Sequence, residues 1–222
     1  MKNLKALLLD MDGLLIDSER VTYDMWRDLF AAQGHELTMP IYLQIIGKTD
    51  KMAAPILMEH FPGFDPYTML YPQWEAGYAE LAPKGLVPLK EGVFELLDFA
   101  DAHGIKKAVV SSNHLRWIEE ILKADGVYDR MDLVVHGRMV EHGKPEPEIF
   151  LLAAELLGLS PEECLVLEDS NAGITAGHRA GMQVICIPDL KQPAGECIPF
   201  CSAILPSLKD VPAWLSVSRN LG

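Results

Sequence analysis

The chain has 222 residues, of which 49% are hydrophobic and 23% are charged. This length and composition predict one globular domain with a large insertion, and a core big enough to fold without disulfides or a structural metal. The formal net charge is −13, because 32 Asp and Glu outnumber 19 Lys and Arg. The acidity argues against nucleic acids and anionic membranes as partners, since both are bound through many Lys and Arg contacts.

The cysteines and the N-terminal segment predict a protein of a reducing compartment. The four cysteines have no spacing typical of a zinc site, so we expect free thiols. The N-terminal apolar run is too short for a signal peptide, and no run of about 18 apolar residues exists that could span a membrane. We therefore expect a cytoplasmic protein with no membrane partner, present as a monomer or a weak dimer.

The first elements along the chain are a strand and a helix. The apolar run at 5–9 predicts a buried strand that ends at Asp10. A turn follows at Asp12, and Ser18 is predicted to cap the helix after it. From there to residue 86 the pattern stays helical, with Pro-Gly interruptions and no convincing strand.

After residue 88 the pattern changes, and short apolar runs alternate with helical stripes. The runs stand at 108–110, 133–135, 165–167 and 184–187. Short buried strands that alternate with helices predict a parallel sheet covered on both faces. We therefore predict an α/β fold, with a Rossmann-like, doubly wound parallel sheet core formed by residues 1–16 and 88–222. An all-helical cap, residues 17–87, is inserted after the first strand.

Polar residues follow several of the predicted strands. Ligands bind at the carboxyl ends of strands in such sheets, and these ends carry Asp10, Ser111 and the pair Glu168-Asp169. Asp12 lies two residues beyond Asp10, so both carboxylates point to the same side of an extended segment. Crowded carboxylates call for a cation, and Asp169 could supply a third oxygen ligand. Hard oxygen ligands with room for water and phosphate suit Mg²⁺, which is the predicted cofactor.

Two further segments carry groups that bind anions. Lys144 lies between Gly143 and Pro145, in a loop that prolines restrict. A lysine held near clustered carboxylates can both neutralise them and bind phosphate oxygens. Ser111 and Ser112 precede a predicted helix, whose free N–H groups can hold an anion. These residues add an anion site to the predicted cation site.

Four motifs carry a resemblance to a known family. They are LLLDMDGLLIDSE at 7–19, VVSSN at 109–113, HGKPEPEIF at 142–150 and VLEDSNAG at 166–173. Together they resemble the haloacid dehalogenase-like hydrolase superfamily, in its helical-cap type with β-phosphoglucomutase, phosphoglycolate phosphatase and pseudouridine 5′-phosphatase. The resemblance covers essentially the whole chain and implies a Rossmann-like core with a helical cap inserted after the first strand.

The resemblance implies a Mg²⁺-dependent phosphatase. Asp10 would attack phosphorus and become an aspartyl-phosphate. Asp12 would protonate the leaving alcohol and then activate the hydrolytic water. The metal would be held by the carboxylates of Asp10 and Asp169 and by the backbone carbonyl of Asp12, with Glu168 close behind. The implied substrate-binding residues of the core are Ser111, Ser112, Asn113 and Lys144.

Substrate choice is expected to come from the cap, because the core motifs contact only phosphate. The candidate cap contacts are Glu19, Arg20, Lys48 and Lys51. Lys48 is the first choice, since it follows Gly47 in a predicted loop. The expected substrate and partner is a small phosphorylated metabolite, either a sugar phosphate or a nucleoside-like monophosphate.

Three other functions are weighed against the phosphatase. A carbon–halogen hydrolase of the superfamily lacks the second Asp and needs no metal, so Asp12 and the pair Glu168-Asp169 count against it. A sugar phosphomutase of the β-phosphoglucomutase kind carries a His and an Arg where this chain has Thr22 and Asp50. A non-catalytic metabolite-binding protein would need a lost catalytic residue, and none is lost. The phosphomutase is the alternative kept beside the phosphatase, with the binding protein more remote.

Overall fold

The computed structural model describes residues 4–48 and 50–219, and one parallel sheet forms its centre. The strands are β1 (Ala6–Leu9), β2 (Lys106–Ser111), β3 (Leu133–His136), β4 (Cys164–Glu168), β5 (Gln183–Cys186) and β6 (Ala203–Ile204). They lie in the order β3-β2-β1-β4-β5-β6, and every neighbouring pair is parallel. The strand that comes first in the chain is therefore a central one, as a doubly wound sheet requires.

A helical insertion separates β1 from β2. Its helices are α1 (Ser18–Ala31), α2 (Met39–Ile45), α3 (Asp50–His60), α4 (Pro66–Met69) and α5 (Tyr71–Leu81). They share a hydrophobic cluster of their own, in which Phe30 stacks on Phe64 with ring centroids 4.3 Å apart. The chain leaves and re-enters the sheet side by side, since Asp17 N donates to Pro88 O at 2.8 Å. The limits of the cap at 17 and 87 stay a prediction.

Helices cover both faces of the sheet. Side chains alternate along β1, so Leu7 and Leu9 enter one hydrophobic cluster while Ala6 and Leu8 enter the other. The first cluster includes residues of α6 (Val93–Ala102), α7 (Leu115–Ala124) and α10 (Val211–Arg219), and the second those of α8 (Glu148–Leu157) and α9 (Asn171–Arg179). The predicted doubly wound α/β core with a helical insertion is confirmed. Among the described residues, no helix combines the length and apolarity that a membrane span needs.

One local prediction differs from the structure, and one strand was not predicted. Helix α1 begins at Ser18 itself, so Asp17 occupies the cap position, and no side chain caps the helix there. The sequence pattern also gives no sign of β6, since two residues are too few for a periodicity to emerge. Pairing with β5 fixes this strand, and Ser202 N donates to Val184 O at 2.7 Å just before it begins.

Candidate active site

The carboxyl ends of three adjacent strands meet at one cavity. Asp10 follows β1, Ser111 ends β2 and Glu168 ends β4, with Asp169 next along the chain. Because β1 lies between β2 and β4, these residues come together although long stretches of sequence separate them. Asp10, Ser111 and Asp169 line a cavity of about 540 Å³ that also touches the helical insertion. We call it the carboxylate cavity.

Lys144 reaches Asp10 from the loop before α8. Its Nζ donates to Asp10 Oδ1 at 2.5 Å, to Glu168 Oε1 at 2.6 Å and to the carbonyl oxygen of Val110 at 3.0 Å. An ammonium group has three N–H donors, so protein acceptors match all of them. Only 6% of the Lys144 side chain is exposed. All three N–H groups of Lys144 are bound to protein acceptors, so a phosphoryl oxygen could bind Lys144 only by sharing one of them. In this arrangement Lys144 holds Asp10 in place.

Glu168 is fully buried, and both of its carboxylate oxygens are engaged. Oε1 accepts from Lys144, while Oε2 accepts from Asp169 N and Ser170 N at 3.0 Å and from Ser170 Oγ at 2.9 Å. Gly173 makes room for this arrangement, because a Cβ there would overlap the Glu168 carboxylate. These bonds anchor Lys144 and the turn into α9. The role of Glu168 at the metal stays a prediction, and direct binding to an ion would compete with these bonds.

The turn after β1 sets the position of Asp12. Gly13 in this turn has a φ of 75°, and a Cβ there would collide with Asp169 Oδ2, so both the backbone and the space require glycine. The Asp12 carboxylate accepts from Asn113 Nδ2 at 3.3 Å and from the hydroxyl of Ser18. One donor comes from the segment after β2 and the other from the helical insertion, so both parts of the molecule orient Asp12.

Lys144 faces an excess of carboxylates. Burial raises the pKa of Asp10 to about 7; Lys144 opposes this shift, and Glu168 and Asp12 add to it. Burial also raises the pKa of Asp12, and it raises the pKa of Asp169 well above the ordinary value. For Lys144, burial lowers the pKa, but Asp10 and Glu168 outweigh it and raise the pKa above its usual value. The lysine therefore stays charged, and the remaining negative charge is of the kind that a cation offsets.

The residues at this edge fit a hard divalent cation. One carboxylate oxygen from each of Asp10, Glu168 and Asp169 lies within 4.8 Å of the others. Mg²⁺ prefers oxygen ligands and keeps several waters, so a site with two carboxylates and open space suits it. Asp10 and Asp169 line the carboxylate cavity, whereas Glu168 lies behind it without exposure. The first two are therefore the better candidates for direct contact.

The predicted phosphate-binding residues lie at this edge of the sheet, but not all of them line the carboxylate cavity. Ser111 and Ser112 line the carboxylate cavity together with Lys144. Ser111 is only 1% exposed, and its Oγ accepts from Asn113 N at 3.0 Å. The Asn113 amide is used by Asp12 and lines the neighbouring cavity instead. Asn113 is thus better placed to orient Asp12 than to contact a phosphoryl group.

Two of the four candidate cap contacts reach the carboxylate cavity. Glu19 and Lys48 line it, and Tyr42 OH donates to Glu19 Oε2 at 2.8 Å. Arg20 lies outside this cavity, with 53% of its side chain exposed, and Lys51 is exposed as well and outside it. Of the four candidates, Glu19 and Lys48 are therefore the ones that a ligand in this cavity can contact.

Sequence reasoning missed the loop after β5, whose residues 189–192 line the carboxylate cavity. The Asp189 side chain is 3% exposed; its Oδ1 lies 2.5 Å from Lys90 Nζ, and its Oδ2 has no hydrogen-bond partner in the described part of the chain. Burial and the nearby charge of Lys48 lower the pKa of Lys191 in the same loop. Asp189 follows the apolar run of β5 as Asp169 follows that of β4. The rule that ligands bind at the carboxyl ends of parallel strands could therefore have identified this loop from the sequence.

Replacing Glu19 with Gln is expected to stabilise the protein at alkaline pH. Burial raises the pKa of Glu19 from its usual 4.5 to about 7; Tyr42 opposes the shift, and Asp12 and Asp189 add to it. A raised carboxyl pKa favours the folded state at low pH, and this contribution is lost as the pH rises through about 7. The uncharged amide should gain on the order of 3 kcal/mol in unfolding free energy at pH 8 and under about 1 kcal/mol at pH 5.

Urea unfolding at the two pH values, in the presence of EDTA, measures this difference. Glu59→Gln is the matched control, because Glu59 is exposed on α3. Its effect should stay within about 0.5 kcal/mol at both pH values. If Glu19→Gln raised the unfolding free energy equally at pH 5 and pH 8, the negative charge of buried Glu19 would not be the cause of the effect.

Comparisons with known proteins agree with this geometry. The family model for haloacid dehalogenase-like hydrolases matches residues 4–181. A relative named phosphorylated carbohydrates phosphatase, from Thermotoga maritima, is 32% identical over 188 residues, which are 82% of this chain and 84% of the relative. The crystal structure of CbbY from Rhodobacter sphaeroides in complex with phosphate has a TM-score of 0.75 and 26% identity, over 94% of this chain and 96% of that one.

A further solved structure shows likeness of fold alone. The β-phosphoglucomutase of Clostridium difficile has a TM-score of 0.71 at 21% identity, over 98% of this chain and 97% of that one. The family model spans most of the sheet and the whole helical insertion, and the relative from Thermotoga maritima is a phosphatase by name. The four motifs follow one another along the chain in the order that the resemblance requires, and residues from all four meet at one edge of the sheet. This chain therefore belongs to the haloacid dehalogenase-like hydrolase family, and it is an enzyme of the phosphatase type.

Proposed function

We propose that this enzyme is a Mg²⁺-dependent phosphatase that hydrolyses a small phosphomonoester through an aspartyl-phosphate on Asp10. The substrate would be a sugar phosphate or a nucleoside-like monophosphate. The observation that carries the proposal is the 2.5 Å contact of Lys144 with Asp10, next to a second carboxylate, Asp12, that other elements orient. One carboxylate is held beside a positive charge and the other accepts neutral donors, so the two differ in the way that a nucleophile and a proton donor must.

In the first step, a carboxylate oxygen of Asp10 forms a bond to phosphorus while the bond from phosphorus to the ester oxygen breaks. The electron pair of the broken bond stays on the leaving oxygen, and Asp12 gives that oxygen its proton. The Asn113 amide orients the Asp12 carboxylate for this proton transfer. Lys144 fixes the Asp10 carboxylate for the attack.

In the second step, the deprotonated Asp12 takes a proton from water as the water oxygen attacks phosphorus. The bond between phosphorus and Asp10 breaks, which releases inorganic phosphate and restores the Asp10 carboxylate. The balance is one ester and one water for one alcohol and one phosphate. Splitting the displacement in two lets the same pair of carboxylates serve both halves.

The Mg²⁺ would be held by the carboxylates of Asp10 and Asp169 and by the backbone carbonyl of Asp12, with Glu168 close behind. When bound, the ion supplies positive charge against the phosphoryl oxygens, beyond the single charge of Lys144. The acidic excess at this edge supports the assignment, as do three carboxylate oxygens within 4.8 Å of one another.

Glu19 and Lys48 support a polar leaving group, since both line the carboxylate cavity from the helical side. The name of the Thermotoga maritima relative, a phosphorylated carbohydrates phosphatase, supports a sugar phosphate. The cytoplasmic location and the state as a monomer or weak dimer stay predictions.

The proposed function is tested by phosphate release from a panel of phosphomonoesters, with Mg²⁺ and with EDTA. The panel contains pseudouridine 5′-phosphate, hexose 6-phosphates, phosphoglycolate and nucleoside monophosphates. We expect release that EDTA abolishes and that added Mg²⁺ restores, because the carboxylates need the ion to accept an anionic substrate. Release that is unchanged in EDTA would contradict the role of the metal.

A phosphomutase is the alternative, and net release of phosphate distinguishes the phosphatase from it. Thr22 and Asp50 both line the cavity next to the carboxylate cavity, and they supply a hydroxyl and a carboxylate, not the His and Arg of the mutases that the chain resembles. A mutase would convert a hexose 1-phosphate into its 6-phosphate without net release of phosphate. Any Mg²⁺-dependent turnover would also exclude the non-catalytic binding protein.

A further inference from the structure

The loop that carries Lys144 is tied to the first residue of α8, a contact that the two steps above leave unused. Glu148 begins α8, and its side chain turns back to accept from Glu141 N at 2.8 Å and from His142 N at 2.9 Å. The first bond uses Oε1 and the second Oε2, which also lies 3.3 Å from His142 Nδ1. These contacts close residues 141–148 into a ring, with Lys144 near its middle.

The bonds of Glu148 differ from those of an ordinary acidic residue at the start of a helix. Such a carboxylate is usually favourable because it lies near the free N–H groups of its own helix. Glu148 instead accepts from N–H groups outside α8, seven and six residues earlier in the chain. The N–H groups of Glu141 and His142 also hold the pKa of the Glu148 carboxyl below its usual value, so both oxygens stay acceptors at neutral pH. Its bonds therefore restrain the loop.

Within this ring, Lys144 lies in a tight turn. Glu146 N donates to the carbonyl oxygen of Gly143 at 3.0 Å. Lys144 and Pro145 are therefore the two central residues of a four-residue turn. Arg179 of α9 holds the far side of the turn, since its Nη1 donates to Pro145 O at 3.2 Å and to Glu146 Oε1 at 2.8 Å. The backbone is thus restrained both before and after Lys144.

Helix α8 also supplies the surface beneath the ammonium group. The Phe150 ring is fully buried, and its centroid lies 5.1 Å from Lys144 Nζ, within the range of a cation–π contact. The same Nζ donates at once to Asp10, Glu168 and the carbonyl oxygen of Val110, at 2.5, 2.6 and 3.0 Å. Hydrogen bonds weaken steeply when their geometry departs from such values. A small displacement of the loop would therefore disturb the contact with Asp10.

We propose that Glu148 is a positioning residue, which keeps Lys144 Nζ on the Asp10 carboxylate by holding the backbone of residues 141–142. The inference rests on the proposed function, in which Lys144 fixes Asp10 for the attack on phosphorus. Glu148 does not line the carboxylate cavity, so it acts through Lys144 and not on the substrate. Its loss should lower kcat and leave KM nearly unchanged, because the misplaced group is needed in the transition state.

The placement of Lys144 is measured first, without turnover. In protein with ¹⁵N-labelled lysine, a buried and fully hydrogen-bonded ammonium group exchanges slowly with water and gives a ¹H–¹⁵N signal, which Lys144→Met identifies by removing it. We expect Glu148→Ala to shift this signal or broaden it beyond detection. The variant should fold, since the Glu148 side chain is 39% exposed. Glu155→Ala is the matched control, because Glu155 is exposed on the same helix, about two turns further on, and it should leave the signal unchanged.

Hydrolysis of acetyl phosphate with Mg²⁺ then measures the effect on the reaction. We expect Glu148→Ala to lower kcat by about tenfold to hundredfold and to change KM by less than about twofold. Glu148→Gln should give an intermediate loss, because the amide keeps the length of the side chain and one of the two acceptor oxygens.

The inference is overturned if the Lys144 signal is unchanged in Glu148→Ala, or if kcat falls no further than in Glu155→Ala. Phosphate release by the unaltered protein reports separately on the proposed function. If the unaltered protein released no phosphate, the proposed function would fail, while a displaced Lys144 signal would still support Glu148 as the residue that positions Lys144.

Discussion

Replacing Asp10 with Asn is expected to lower phosphate release by roughly 10⁴-fold or more while the protein stays folded. The amide has no anionic oxygen to attack phosphorus, so the aspartyl-phosphate does not form. The shape of the side chain is kept, and the amide oxygen can still accept from Lys144. The change also removes one charge from an acidic cluster, so we expect the melting temperature to be maintained or raised. Steady-state phosphate release and thermal unfolding measure the two effects.

Asp12→Asn separates the two carboxylates by their roles. It keeps the nucleophile and removes the proton donor, so the loss should be about 10²- to 10⁴-fold for an alkyl phosphate. The loss should be far smaller in the first step with p-nitrophenyl phosphate, because nitrophenolate leaves without a proton. A burst of nitrophenolate in rapid mixing would reveal this step. Asp10→Asn should lose activity equally with both substrates.

The control for both variants is Asp210→Asn, since Asp210 is exposed and does not line the carboxylate cavity. It should leave phosphate release within a factor of about two of the unaltered enzyme. If Asp12→Asn were the more damaging change with p-nitrophenyl phosphate, the assignment of nucleophile and proton donor would have to be exchanged.

The strand-end residues could be predicted from the sequence because parallel sheets obey a strong rule. Most of the buried apolar runs end at a polar residue, and all strands of a parallel sheet end at the same edge. Asp10, Ser111 and Glu168 follow from that rule without any knowledge of which strands are neighbours. Gly13 follows too, since a turn immediately after a strand often needs a positive φ.

The partners of those residues could not be predicted in the same way. Lys144 lies 134 residues from Asp10 in the chain, and its contact depends on how α8 packs against the sheet. The satisfied hydrogen bonds of Glu168 depend on Gly173 in the next helix. Such contacts arise from packing between elements that are far apart in the sequence, so no local periodicity predicts them.

The aromatic side chains of the helical insertion show the limit of interpreting hydrophobic patterns. Trp26, Trp74 and Tyr78 stand at positions that a helical pattern assigns to a core, and Tyr78 is in fact 4% exposed. Whether such a side chain meets another apolar group or the wall of a cavity depends on the placement of the helical insertion over the sheet. An indole N–H without a hydrogen-bond partner can be identified only when the helical insertion and the sheet core are both in place.

Replacing Lys144 with Met is expected to cost about 3–5 kcal/mol of unfolding free energy at pH 8, in addition to the loss of phosphate release. The substitution keeps the apolar length of the side chain but leaves Glu168 and Asp10 buried without their cation. Because Lys144 lowers the pKa of Asp10, its removal raises that pKa beyond its value of about 7. The folded variant then takes up a proton as the pH falls, so the cost should be smaller at pH 6 than at pH 8. Urea unfolding at the two pH values measures it.

The surface pair Lys209 and Glu91 is the matched control, since their side chains are 58% and 70% exposed while forming a 2.9 Å ion pair. Lys209→Met should cost no more than about 1 kcal/mol at either pH. Lys144 is proposed both to neutralise Glu168 and to hold Asp10 beside a positive charge. The double variant Lys144→Met with Glu168→Gln distinguishes these two roles. It should recover stability, because the amide that replaces the Glu168 carboxylate carries no charge, yet phosphate release should stay lost, because nothing holds Asp10 beside a positive charge. Recovery of both would mean that Lys144 serves only to neutralise Glu168, and that Asp10 needs no lysine to act as the nucleophile.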